Sequence, residues 1–231
     1  MITSEAVIKV EKVITENLYL ISVTLDKYRN WVPGMFMQLS LEVKGASEPW
    51  LESRAFSFAN WGSNKALILV RKEGVFTKTL ISNALNGFKG TVRFPFGNFL
   101  LNQNSDKIFL AGGTGISVFL SYLDFLQLEG SQNNILEIFH SAKTSNEAVD
   151  QIYWNKIPKS IKISQFITNR NDKGYTGRLT HELLFSNLNR IKDVDVFICG
   201  PPQFNDYWIE KIKEHGIIPH VEQWMNKVNL V

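Results

Sequence analysis

The sequence predicts a two-domain protein, an antiparallel β-barrel domain followed by an α/β domain built on a parallel sheet. Three observations carry that prediction. Short strand-like runs separated by turn clusters fill the first hundred residues, and strand-like and helical runs alternate after about residue 105. Between them, in Lys107 to Ser121, an apolar run enters a Gly-Gly-Thr-Gly turn and a helix-period apolar run leaves it. The boundary is expected near Asn102 to Ser105, giving domains of 1–102 and 103–231.

In the first half, strands are expected at Val7 to Ile14, Leu18 to Leu25, Met35 to Val43, Glu52 to Ala59, Ala66 to Arg71 and Thr91 to Phe94. These runs are rich in β-branched, aromatic and alternating residues, and clusters such as Pro33-Gly34 and Asn60 to Asn64 divide them. One helix interrupts the pattern at Phe76 to Leu85, ahead of Asn86-Gly87. In the second half, strands at Lys107 to Ala111, Ile135 to His140, Ile161 to Thr168 and Val194 to Cys199 alternate with helices. Those helices are expected at Ile116 to Leu128, Asn146 to Trp154, Thr180 to Leu184 and Gln203 to His215. Such alternation means a parallel sheet wrapped by helices.

Composition narrows the function. At 231 residues the chain is long enough to bury two modest cores, and its 44% hydrophobic and 20% charged residues are those of an ordinary soluble protein. A net charge of +3 with no block of like charges argues against nucleic acid as a partner. No run approaches a membrane span and the N-terminus has no leader pattern, so a cytoplasmic protein is expected. The single cysteine, Cys199, excludes an internal disulfide and any four-cysteine zinc or iron–sulfur site. His140, His181, His215 and His220 lack metal-ligand spacing and read as surface or core residues, so no metal is expected.

Three motifs carry chemistry. In Gly112-Gly113-Thr114-Gly115 the glycines allow a sharp turn and a close approach to a ligand, and the amides of the following helix face an anion such as a pyrophosphate. In Arg54-Ala55-Phe56-Ser57-Phe58 strand alternation puts Arg54, Phe56 and Phe58 on one face. An arginine beside rings suits a phosphate with a stacked flat cofactor, although taken alone the pattern better suits barrel core (Phe56 and Phe58) beside a solvated Arg54. Gly74-Val75-Phe76-Thr77 opens the first domain's helix with Thr77 as the expected N-cap, and reads evenly as plain capping or as a phosphate site.

Together these motifs resemble the ferredoxin-NADP reductase superfamily of flavoproteins, in order and over nearly the whole chain. Residues 54–58 resemble the family's Arg-x-Tyr-Ser flavin motif, and Gly74 to Thr77 its flavin-phosphate loop. Phe94-Pro95-Phe96-Gly97 is similar to the Gly-Pro-Phe-Gly that ends the barrel. GGTGIS at 112–117 is similar to the nicotinamide-nucleotide loop, and Cys199-Gly200-Pro201-Pro202 to the family's CGPP element. The resemblance implies that Arg54 pairs with the flavin pyrophosphate, Phe56 packs on the isoalloxazine and Ser57 hydrogen-bonds near its N5. It implies that Ala55 and the Gly74, Val75, Phe76 and Thr77 loop contact flavin. Gly112, Gly113, Thr114, Gly115, Gly200 and Pro201 would hold the dinucleotide, with Cys199 beside the nicotinamide. Ser57 and Cys199 are thus the expected catalytic residues, and Trp224 is a further candidate cofactor contact.

Departures qualify the match. Phe56 stands where the family has tyrosine and so lacks a hydroxyl for the ribityl chain. Phe94 replaces a glycine and Val118 a frequent proline, while Glu222 and Trp224 resemble the acidic and aromatic residues near which many relatives end. Lys143 and Arg170 follow the second and third strands of the α/β domain, with no carboxylate immediately after either. They are either solvated loop charges or partners for a 2′-phosphate, and Arg178 is a further candidate.

The expected function is an NAD(P)H-dependent flavoprotein reductase carrying FAD, with FMN as the alternative. It would take hydride from NADH or NADPH and pass electrons to a separate acceptor protein such as a ferredoxin or an oxygenase component. A flavin reductase that uses free flavin as substrate, and an accessory electron-transfer subunit of a larger complex, are the other readings.

Overall fold

The computed structural model describes residues 1–45, 47–50, 52–101, 105–130, 135–153, 155, 157–188 and 194–222. The N-terminal sheet holds β1 (Ile2–Thr15), β2 (Leu18–Leu25), β3 (Phe36–Ser40), β4 (Arg54–Ser57), β5 (Lys65–Arg71) and β6 (Phe88–Phe96), in the order β4-β3-β6-β1-β2-β5. Its neighbouring strands pair antiparallel throughout. The two edges converge where the Ala59 amide donates to the Leu67 carbonyl at 2.8 Å, so the sheet is a nearly closed barrel. β1 bends to serve two partners through register shifts at Val10/Lys12 and Val13/Thr15. Alternate residues fill the barrel: Ala6, Ile8, Ile21, Val23, Ile68 and Val92 are buried together. Helix α1 (Val75–Asn86) covers the barrel with Phe76, Leu80, Ile81 and Ala84.

The second sheet is parallel, ordered β11-β10-β7-β8-β9, with β7 (Asp106–Gly112), β8 (Ile135–Ala142), β9 (Lys162–Ile167), β10 (Val194–Cys199) and β11 (His220–Glu222). On one face Phe109, Ala111, Phe197 and Cys199 pack with α2 (Ile116–Glu129) and α3 (Val149–Ile152). On the other, Ile108, Leu110, Val196 and Ile198 pack with α4 (His181–Leu188) and α5 (Pro202–Glu214). The expected two-domain architecture is therefore present.

Local boundaries differ for physical reasons. The strand expected at Thr91 to Phe94 extends over Phe88–Phe96 because it pairs with both β1 and β3. The helix expected at Asn146 to Trp154 is one turn, Val149–Ile152, because Ala148 and Tyr153 on either side are extended. A 3₁₀ turn at Ser145–Glu147 takes up the preceding residues, and Trp154 lies outside the described residues. Strand β11 has no counterpart in the sequence reading, since three residues carry no pattern of their own.

Helix α2 joins the halves. Its residues from Ile116 to Phe125 are buried on every side, as in a helix held between two apolar layers. One layer is the parallel sheet and the other includes Leu18, Leu20 and Leu69 on the outer surface of the barrel. Polar groups fix the alignment. Asp124 accepts the Trp61 backbone N–H at 2.9 Å and the Asn155 amide at 2.9 Å, while Ser121 Oγ donates to the Asn60 carbonyl at 3.0 Å. Trp31 Nε1 donates to that same carbonyl at 3.0 Å, and Trp61 Nε1 to the Trp31 carbonyl at 2.8 Å. Replacing Asp124 with alanine leaves the half-buried Trp61 amide and the Asn155 side chain without this acceptor and opens a gap in the buried face of α2. The expected loss is about 3 kcal/mol of unfolding free energy, read from the denaturant midpoint.

Candidate functional site

The parallel sheet sets the first part of the site. Strand order runs outward from β7 to β8 and β9 on one side and to β10 and β11 on the other, so the crevice lies between the carboxyl ends of β7 and β10. Gly112 to Gly115 and Cys199 to Pro201 meet there. A Cβ on Gly115 would sit 2.1 Å from the Cys199 carbonyl oxygen, and one on Gly200 would sit 3.1 Å from the Gly112 Cα. Gly113 adopts φ +54°, left-handed backbone that side chains disfavour. The two motifs thus form one cradle in which glycine is required by space. Gly113 and Thr114 are half-buried at its mouth.

Cys199 itself is fully buried on the sheet face shared with Phe109, Phe119 and Phe197. Its thiol does not reach the surface, so the structure does not place it against a nicotinamide ring.

The barrel supplies a second anion site. Gly74, not Thr77, is the N-cap of α1, and no side chain caps the helix. Thr77 Oγ1 instead accepts the Glu73 amide at 3.1 Å and donates to the Gly74 carbonyl at 3.2 Å, bracing the turn from the first helical turn. Nothing lies within 4 Å of a Cβ placed on Gly74, so the amides behind it are approachable. The exposed Arg54 guanidinium lies 5.3 Å from the centre of the Phe76 ring and donates to the Ser53 carbonyl at 2.8 Å. Phe56 packs beside Phe76 with ring centres 6.4 Å apart. Arg54, Phe56 and the 74–77 turn, separate in sequence, are therefore neighbours. Val75 is largely exposed at the turn, Ala55 is half-buried, and Ser57 is buried opposite Phe36 in the β3–β4 ladder. Trp224 lies outside the described residues.

Two cavities adjoin these sites. One, of about 520 Å³, is lined by Asn98, Phe99, Leu100, Phe197 and residues 219–222. Here burial pushes the Glu222 carboxyl up to about 7. The other, of about 560 Å³, lies between barrel and α/β domain; Arg71, Lys72, Lys143, Thr144, Glu147 and Asn169 are among its lining residues. Arg71 makes a two-pronged pair with Glu147, at 3.0 and 2.8 Å, and this bond holds its pKa above the ordinary arginine value. The Arg71 guanidinium is also 4.0 Å from where a Gly113 Cβ would lie. Arg71 and Glu147 were missed in the sequence because their pairing spans 76 residues; the only local signal is the basic Arg71-Lys72 at a strand end. Lys143 lines the cavity, whereas Arg170 is exposed.

Glu222 makes stability depend on pH. A carboxyl with its folded pKa above its unfolded value binds a proton more tightly in the native state. Stability is therefore highest below pH 4.5 for this group and falls as pH rises through about 7, by ~3 kcal/mol. In Glu222→Gln that decline should disappear from the difference between melting curves recorded across this range. Gly115→Ala should fail to accommodate the β7–β10 crossing and lower the melting temperature by more than any exposed-loop glycine substitution.

The match to the family model described as "Oxidoreductase NAD-binding domain" covers residues 109–208. The 2-halobenzoate 1,2-dioxygenase electron transfer component of Burkholderia cepacia is 31% identical over 184 residues, covering 75% of this chain and 52% of that protein. The anthranilate 1,2-dioxygenase electron transfer component of Acinetobacter baylyi is 26% identical over 185 residues, covering 76% and 52%. The chain thus spans about half the length of these relatives. Among solved structures, a ferredoxin NADP+ reductase from Neisseria gonorrhoeae with bound FAD and NADP superposes with TM-score 0.75 at 18% identity, covering 99% of this chain and 95% of that one. A barrel joined to a parallel-sheet domain is thus the fold this chain shares with that reductase, and residues 109–208 are similar to the oxidoreductase NAD-binding family.

Proposed function

We propose that this chain is an NAD(P)H-dependent flavoprotein reductase, binding FAD on residues 1–102 and NADH or NADPH on residues 103–231. It passes electrons to a separate acceptor protein such as a ferredoxin or an oxygenase component. The observation that supports this most is the pair of anion sites, one at the open N-terminus of α1 beside Arg54 and one in the glycine cradle between β7 and β10. The electron transfer components among its relatives support the same reading.

The residues present fit both groups. Gly74 leaves the α1 amides open to a phosphate, and Arg54 offers a fork for the same pyrophosphate. The glycine cradle lets a dinucleotide backbone approach where a side chain would block it. When bound, flavin supplies the hydride-accepting atom and the ability to release electrons singly. The chain supplies position. Phe56 offers a face for stacking and Phe99 an apolar wall against water, while Ser57, next to Phe56 in the strand, is the residue proposed to bond near the flavin's N5. Arg71 and Lys143 supply positive charge beside the nucleotide loop, and Glu222 a carboxyl able to hold a proton near neutrality. Lys143 provides a cation for a 2′-phosphate, so NADPH is accepted alongside NADH.

No helix among the described residues is long and apolar enough to cross a membrane. A second reading, in which flavin is a diffusible substrate, is favoured by Phe56, whose ring lacks the hydroxyl that would tether the ribityl chain. Absorption spectroscopy of the desalted protein separates the two. A stoichiometric flavin spectrum that bleaches with NADH or NADPH is expected. A colourless protein that oxidises the nucleotide only with added flavin would establish the second reading. Arg54→Ala should weaken flavin retention about tenfold or more through loss of a charged fork, measured by fluorescence of released flavin.

A further inference from the structure

His140 is fully buried on β8, directly beneath the glycine cradle. Its Nε2 lies 3.1 Å from the Gly113 carbonyl oxygen, which can only accept, so Nε2 carries the hydrogen. On the other side of the ring, Gln165 Nε2 lies 2.9 Å from Nδ1 and Gln165 Oε1 lies 3.3 Å from it, so the amide nitrogen makes the shorter contact. The orientation of the Gln165 amide is itself fixed, since its Oε1 accepts the Val149 backbone N–H at 3.2 Å while its Nε2 also donates to the His140 carbonyl at 3.1 Å. The hydrogen bonds therefore run one way: Val149 N–H to Gln165, Gln165 to His140, and His140 to Gly113. With Oε1 taken by Val149 and the amide nitrogen nearer to Nδ1, this direction fits the neutral ring with a bare Nδ1. Burial pushes the same ring's pKa below the ordinary imidazole range.

The end of this chain is a peptide that matters. The Gly113 carbonyl accepts from His140 and also from the Ile116 amide, so both its lone pairs are engaged inside the protein. In a trans peptide the C=O and the next N–H point in opposite directions. Holding the Gly113 oxygen inward therefore aims the Thr114 N–H outward, toward the mouth where Gly113 and Thr114 are half-exposed. A carbonyl facing the mouth would repel a phosphate; an amide attracts it.

We infer that His140 is a positioning residue for nucleotide binding: through its Nε2–H it locks the Gly113–Thr114 peptide with the amide facing the pyrophosphate of a nicotinamide dinucleotide. This rests on the assignment of the cradle to NADH or NADPH. Gln165 sets the tautomer, and the interior hydrogen-bond chain connects α3 and β9 to the loop.

The test compares His140→Leu, which removes the donor, with His140→Gln, whose amide nitrogen reaches the same place. Steady-state kinetics of the flavin-loaded protein with ferricyanide as acceptor should show KM for NADH raised about tenfold in His140→Leu, kcat within about twofold, and flavin content unchanged. His140→Gln should stay within about threefold of the parent KM. Unchanged KM in His140→Leu, a fall in kcat alone, or a His140→Gln as weak as His140→Leu would each overturn the inference. If His140→Leu fails to fold, nitrogen-15 NMR of the parent decides: a protonated Nε2 with bare Nδ1 supports it, and the opposite tautomer or an imidazolium refutes it. A parent protein that oxidises neither NADH nor NADPH would defeat the functional assignment as well. A parent that oxidises them as readily as His140→Leu does, at the same KM, defeats only the role of His140.

Discussion

The contact between Gly115 and the Cys199 carbonyl is the constraint on which the rest of the α/β domain depends. No side chain fits where a Cβ would come within 2.1 Å of that oxygen, so the two strand ends approach as closely as backbones can. Because β7 and β10 are adjacent in the sheet, this approach also sets where α2 begins, one residue after Gly115. The helix then runs back over the sheet with its buried residues already in register with Phe109 and Phe197, and the barrel docks on the surface it leaves. A close approach at one turn is thus transmitted to the placement of a whole domain, through packing rather than through charge.

Charged groups divide according to what surrounds them. Lys65 with Glu11 and Lys211 with Glu214 are pairs near solvent, where attraction is screened and contributes little. Arg71 and Glu147 form a pair with little exposed surface at the seam between domains, where its two-pronged geometry fixes an orientation as well as an energy. Glu222 is also buried but has no compensating cation among the described residues, and burial raises its proton affinity.

Much of this was legible from residue type. β2 and β10 begin and end where hydrophobic pattern and turn residues place them, and the glycine motifs mark a ligand loop, while the contact between them is seen only in the structure. The cap of α1 was read one turn too far along: Thr77 has the right side chain for a cap, but Gly74 has the extended backbone that the position needs. The helix expected at Asn146 to Trp154, the second of the α/β domain, is cut to one turn because Ala148 leaves the helical region, a choice made by tertiary contacts that no local propensity reports. Arg71 with Glu147 and His140 with Gly113 were invisible for a related reason. Each pair is joined by the fold and not by spacing, so only the identity of the partners, never their meeting, is written in the chain.

A helix buried on all sides has a consequence for modularity. Residues of α2 serve at once as the lining of the parallel sheet and as the seat of the barrel, so neither half owns its own outer wall. Separating the chain between its two sheets would uncover an apolar helix on one fragment and Leu18, Leu20 and Leu69 on the other. The halves are therefore partners in one cooperative unit, and an exchange of barrels between relatives would have to carry a matched helix with it.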